Sequence, residues 1–204
     1  MMSGALASRK DGTQMRRVWI IALLLACSSA VHADARFTVT SPDLRNGGGF
    51  KRAQLDVHNV CGSGGSRSPA LNWANPPAGT KYFGVTLSYL DPLTPDNPEV
   101  SWGVAAIPPD TVSLASDAGA PGGPPLPPGA VQGTSSFGVV GYSGPCWRQN
   151  TAATVYDLEV WALDSKGRFF NGSPAGGMRH YFSRRALGVA RIRLELPPRS
   201  GPAR

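Results

Sequence analysis

The chain is predicted to be mainly β, built of short strands joined by irregular loops, with one helical segment near its C-terminus. Three observations carry this. Glycine (25) and proline (19) are frequent among the 204 residues, and both weaken helix interiors, which argues against a helical bundle or coiled coil. Charged side chains are only 16% and hydrophobic ones 41%, a balance that suits one globular domain with many turns. Where a hydrophobic period is visible, it is two residues more often than 3.6.

Taken in order, residues 36–40 alternate, with Phe37 and Val39 on one face, until Pro42 and Asp43 end the strand. Residues 82–90 form the clearest strand, stopped by Asp91-Pro92, and a shorter one over 102–107 is halted by Pro108-Pro109. Residues 155–163 alternate again: Val155, Asp157, Glu159 and Trp161 fall on one face, Tyr156, Leu158, Val160 and Ala162 on the other. Between 118 and 130 six or more of any eight residues are Pro or Gly, so this stretch is a surface loop. The spacing predicts one helix over 178–190, then a strand over 191–196 before Pro197-Pro198, with 197–204 a disordered tail. No internal repeat is visible.

The first 33 residues read as a secretory signal. Arg16-Arg17 precede an apolar run over 18–26, and Val31-His32-Ala33 has the small-residue pattern of a cleavage site, with Met15 offering a second start. The run is about half the roughly 20 apolar residues a membrane span needs. A lipoprotein site at Cys27 is the alternative, and it would anchor the mature chain to a membrane. Either way the protein is expected to be exported, to the periplasm or beyond. The mature domain is then 34–204, and loss of Arg9, Lys10, Arg16, Arg17 and Asp11 lowers the net charge from +7 to +4.

The remaining charge is uneven. Residues 179–204 hold seven Arg against Glu195 alone, whereas 34–178 are slightly acidic. Nucleic acid is not expected as a partner of an exported chain, and the arginines read as a solvated helix face and a frayed tail. Two cysteines remain after export, Cys61 and Cys146, and an even count in an oxidising compartment predicts a disulfide. A zinc site using His58, Cys61 and His180 is the weaker reading, since a single short ligand pair is poor evidence for metal. No metal or cofactor is expected. The chain has no nucleophile elbow, phosphate loop, paired zinc motif or dinucleotide fingerprint.

Five ordered motifs carry a resemblance. Ser68-Pro69-Ala70-Leu71-Asn72-Trp73, Pro77-Ala78-Gly79-Thr80-Lys81, Asp91-Pro92-Leu93-Thr94-Pro95, Gly141-Tyr142-Ser143-Gly144-Pro145-Cys146 and Ala162-Leu163-Asp164 follow one another along the chain. Together they resemble the phosphatidylethanolamine-binding protein family, in its bacterial Raf-kinase-inhibitor-like branch, from about Phe37 to Leu196. The resemblance implies an antiparallel β-sandwich with a small C-terminal helix and a shallow pocket for anionic head groups. It places Asp91 and Pro95 on one pocket loop, Gly144 and Cys146 on the pocket wall, Tyr156 on a strand, and Ser101 and Trp102 where the family has its Trp-His block.

The same comparison exposes a departure. The His and Arg before the family's tyrosine are Thr154 and Val155 here, and no histidine stands near Ser101-Trp102-Gly103. An imidazole donates to an anion and can gain charge when one arrives, and neither pocket histidine is present. A small anionic ligand is therefore expected to bind poorly, and the pocket either takes a more apolar or aromatic ligand or is vestigial. Three function classes follow: a non-enzymatic exported binding protein, a protein-interaction module such as an inhibitor of a hydrolase or a modulator of an envelope or host partner, and, least favoured, a hydrolase. Membrane contact is expected only peripherally or through Cys27.

Overall fold

Eight strands and one helix build the domain in a computed structural model that describes residues 1, 36–57, 64–90, 98–146 and 153–198. The strands are β1 (Thr38–Thr40), β2 (Leu71–Ala74), β3 (Tyr82–Tyr89), β4 (Glu99–Ile107), β5 (Ser113–Leu114), β6 (Val131–Gln132), β7 (Thr154–Leu163) and β8 (Ala186–Leu196). The helix, α1 (Ala175–Arg185), precedes β8. Residues 34–204 form one compact unit.

All strand pairs are antiparallel, in a three-stranded sheet ordered β1-β2-β5 and a five-stranded sheet ordered β6-β4-β3-β7-β8. The alternation read in the sequence decides which face of the large sheet is which. Val85 and Leu87 of β3, Trp102 and Val104 of β4, Tyr156, Leu158, Val160 and Ala162 of β7, and Ile192, Leu194 and Leu196 of β8 point inward and pack on Leu71, Trp73 and Leu114 of the small sheet. The opposite face is covered in part by α1, whose Met178 and Phe182 pack on Trp161, Ala105 and Leu163. Gly84 is a glycine for this reason: a Cβ there would lie 2.5 Å from the Phe182 ring.

Two predicted boundaries move. The helix expected over 178–190 runs instead over Ala175–Arg185, and Ala186–Leu196 is one continuous strand. Residues 186–190 pair with β7, Trp161 opposite Val189 and Val160 opposite Ala190. Their small residues Gly188 and Ala190 alternate with Leu187 and Val189, a period that a long neighbouring strand can capture even beside a helical stretch. Strand β4 starts at Glu99, three residues before the expected 102, and contains a bulge at which Ala106 takes φ 57. The stretch 118–130 is irregular as expected, and Leu126 and Ala130 pack from it onto the core. The segment 2–33, expected to be a secretory signal, and residues 199–204 of the expected tail lie outside the described residues.

Candidate functional site

The described members of the predicted pocket meet where β4, β7 and the 141–146 loop converge. Ser143 N–H donates to the Ser101 carbonyl at 2.9 Å, which docks the loop on β4. The loop is held on its other side by the segment 54–56: Tyr142 Oη donates to the Gln54 carbonyl at 2.8 Å, and Asp56 N–H to the Pro145 carbonyl at 3.1 Å. Gly144 must be glycine here, because a Cβ would lie 2.4 Å from the Asp56 nitrogen. This wall residue thus abuts another stretch of backbone.

Aromatic rings fill the junction. The Trp102 and Tyr142 rings meet edge to face at 5.7 Å, and Tyr156 contacts Phe50 edge to face at 5.3 Å and Tyr89 at 5.7 Å. Trp102 is fully buried, and its indole Nε1 donates to Gln132 Oε1 at 3.1 Å. Gln132 in turn donates through Nε2 to the Gly119 carbonyl at 2.9 Å, tying the Pro/Gly-rich stretch to the core. Burial pushes the Tyr142 phenol well above its ordinary value, and the neighbouring Tyr156 hydroxyl pushes it further the same way. The Tyr142 phenol therefore stays neutral at physiological pH.

Ser101 and Thr154 are both buried. Among the described residues the Ser101 hydroxyl has no hydrogen-bond partner, and neither has that of Ser88 on the facing strand. A hydroxyl buried this way costs about 1–3 kcal/mol relative to a paired one. Ser101, Tyr142, Thr154 and Tyr156 each contribute a hydroxyl, which can both donate and accept.

Asp91, Pro95, Cys61 and His58 lie outside the described residues, as do Trp147 and Arg148. Cys146 is half-buried at the end of the wall loop, and His180 is exposed on α1. Sequence reasoning missed Tyr142, Phe50, Tyr89 and Gln132 as neighbours of the site. Tyr142 sat inside a quoted motif and could have been found there; Phe50 follows a glycine run with no period to flag it.

The fold places these residues where comparison with known proteins can be weighed. Residues 40–194 match the family model for phosphatidylethanolamine-binding protein. The chain belongs to that family. It is 33% identical to the UPF0098 protein YbcL of Escherichia coli K12 over 166 residues, covering 79% of this chain and 87% of YbcL. With the UPF0098 protein YbhB of the same organism it shares 38% identity over 133 residues, 61% of this chain and 79% of YbhB. The crystal structure of YbcL, described as a new member of the mammalian PEBP family, superposes with a TM-score of 0.73 at 31% identity, covering 81% of this chain and 100% of that one. A homologue from Chlamydia trachomatis, CT736, superposes at 0.61 with 20% identity, covering 80% of this chain and 98% of its own, a likeness of fold alone.

The arginine-rich C-terminus differs from the solvated face expected of it. Among its described residues Arg179, Arg191 and Arg193 reach the buried carboxylates Glu159 and Asp157, and Arg185 meets Asp164 at 2.9 Å. The chain places acids and bases on adjacent strands, β7 and β8, where cross-strand neighbours pair, and no spacing along the sequence reports that.

Proposed function

We propose that this family member is an exported, non-enzymatic binding protein whose pocket has lost its affinity for phosphate-like anions and takes a neutral, largely apolar ligand. One observation carries the reading: aromatic rings fill the junction, Trp102 against Tyr142 and Tyr156 against Phe50 and Tyr89. A dianion needs charged or strongly polarised donors to offset its desolvation. Neutral hydroxyls among aromatic rings offset little of it, whereas they suit an apolar body with one or two hydrogen-bonding groups. Asp91 and Pro95 complete the site in this proposal.

Export rests on the basic, apolar and small-residue order of the first 33 residues. The Cys61–Cys146 disulfide belongs to the same proposal. It is supported by Cys146 being disulfide-bonded and by the path of the chain on either side of residues 58–63. There Asp56 N–H donates to the Pro145 carbonyl and Gly64 N–H to the Asp56 carbonyl, beside Cys146. A role for the arginine-rich C-terminus in capturing a protein partner is less well supported, because four of its five described arginines are engaged within the domain.

Titration with inorganic phosphate and with phosphoethanolamine, followed by tryptophan fluorescence, tests the reading. No saturable change in the micromolar range is expected for either. A micromolar site for one of them overturns it.

A further inference from the structure

Two tight turns on the α1 side of the domain present bare aromatic rings. Phe170 is 69% exposed and Phe137 is 51% exposed. Both turns are anchored. Phe169 packs edge to face on Tyr181 at 5.4 Å and on Phe182 at 6.0 Å, so its neighbour Phe170 is turned outward by a fixed backbone. Phe170 N–H donates to Ser173 Oγ at 3.0 Å, while Phe137 N–H donates to Ser135 Oγ at 3.3 Å. The turns adjoin, because Thr134 N–H donates to the Ser173 carbonyl and Thr134 Oγ1 to the Gly172 carbonyl.

Along the two turns themselves the charge is of one sign. Residues 165–171 contain Lys166 and Arg168 and no carboxylate, and residues 133–143 contain no ionisable acid or base other than Tyr142. Lys166 and Arg168 are exposed and make no ion pair among the described residues, unlike Arg179, Arg185, Arg191 and Arg193. The nearest acid in sequence, Asp164, is already bound by Arg185. Rigid exposed aromatics flanked by uncompensated cations match the boundary of an anionic bilayer, where rings enter the headgroup layer and cations meet lipid phosphates.

We propose that Phe137, Phe170, Lys166 and Arg168 form a face that docks the protein on an anionic lipid surface. The proposal is independent of what the pocket binds. Cosedimentation of the full chain with vesicles of phosphatidylcholine alone, and of phosphatidylcholine mixed with phosphatidylglycerol, tests it. Binding is expected to the mixed vesicles and to weaken with added salt. Each cation is worth about fivefold in affinity, so Lys166→Glu with Arg168→Glu should weaken binding by at least roughly twentyfold. Phe170→Ser should weaken it several-fold, and the charge-conserving Arg168→Lys should bind like the parent. These side chains lie outside the core, and an unchanged melting temperature separates lost docking from lost fold. Equal binding to both vesicle types, binding unaltered in the charge-reversed and Phe170→Ser variants, or capture of soluble acidic proteins without vesicle binding would each overturn the proposal.

Discussion

The two faces of the five-stranded sheet are both buried, yet they are held by different chemistry. The inner face is apolar, built from Val85, Leu87, Trp102, Leu158, Val160, Ile192 and Leu194 against the small sheet. The outer face buries two carboxylates, and Glu159 is 0% exposed. Arg191 and Arg179 both bind Glu159, the latter from α1 at 3.2 Å, and Thr86 Oγ1 donates to it at 3.4 Å while accepting from Trp161 Nε1 at 2.9 Å. Asp157 receives two bonds from Arg193, at 2.9 and 3.0 Å. Burial by itself does not define a hydrophobic core: the inner face gains from apolar area removed from water, whereas the outer face is stable only while every charge keeps its partners.

The largest expected effect separates these two modes. Glu159→Ala strands Arg179, leaves Arg191 only its contact with Asp157 at 3.2 Å, and unties α1, so a loss of about 3–5 kcal/mol is expected. Leu158→Ala, one residue away on the inner face, should cost about 2–5 kcal/mol through its cavity. Urea unfolding as a function of salt tells the two apart. The Glu159→Ala loss should shrink as salt rises, since screening already weakens the parent network, while the Leu158→Ala loss should hold. Equal salt dependence would erase the distinction between the faces.

An intermediate effect sharpens it from the other side. Trp102 is the inner face's polar exception, and Gln132 satisfies its indole N–H. Gln132→Leu keeps the volume and removes the acceptor, so a loss of about 1–3 kcal/mol is expected in chemical denaturation, with a changed near-ultraviolet tryptophan signal. A neutral outcome would mean that the inner face tolerates an orphaned donor.

The smallest effect concerns the same ion-pair chemistry placed in water. Asp164 is exposed, and its carboxyl is held below the ordinary 3.8, first by the Ser165 hydroxyl and then by Arg185. A carboxyl depressed in the folded state contributes stability that is fully present above the unfolded value and is lost as pH falls through the folded one. Asp164→Asn should therefore leave stability near neutral pH almost unchanged and flatten a small acid dependence below about pH 4. A loss at neutral pH as large as that of Glu159→Ala would show that exposure does not weaken the pair.

Much of the sheet was legible in the residues. Strands β3 and β7 follow their alternation to within a residue, because each buries both faces differently and an apolar partner must recur every second position. The five loop motifs located the site's wall and strand. Strands β2, β5 and β6, of four residues or fewer, left no period to read. Gln132 acts on Trp102 from 30 positions away and Tyr142 on Gln54 from 88, and no local pattern encodes such partners.

By itself the sequence settled what its own neighbours decide: where strands alternate, where Pro and Gly break them, which family's motifs the chain carries, and that no histidine stands near Ser101-Trp102-Gly103 or just before Tyr156. Only the tertiary structure decided that 186–190 is strand, that the C-terminal arginines neutralise Glu159 and Asp157, and that Ser101 is buried with no hydroxyl partner among the described residues. The physical reason is range. Steric preference and hydrophobic period act over a few residues, whereas cross-strand pairing and desolvation are set by groups that approach only once the sheet has formed.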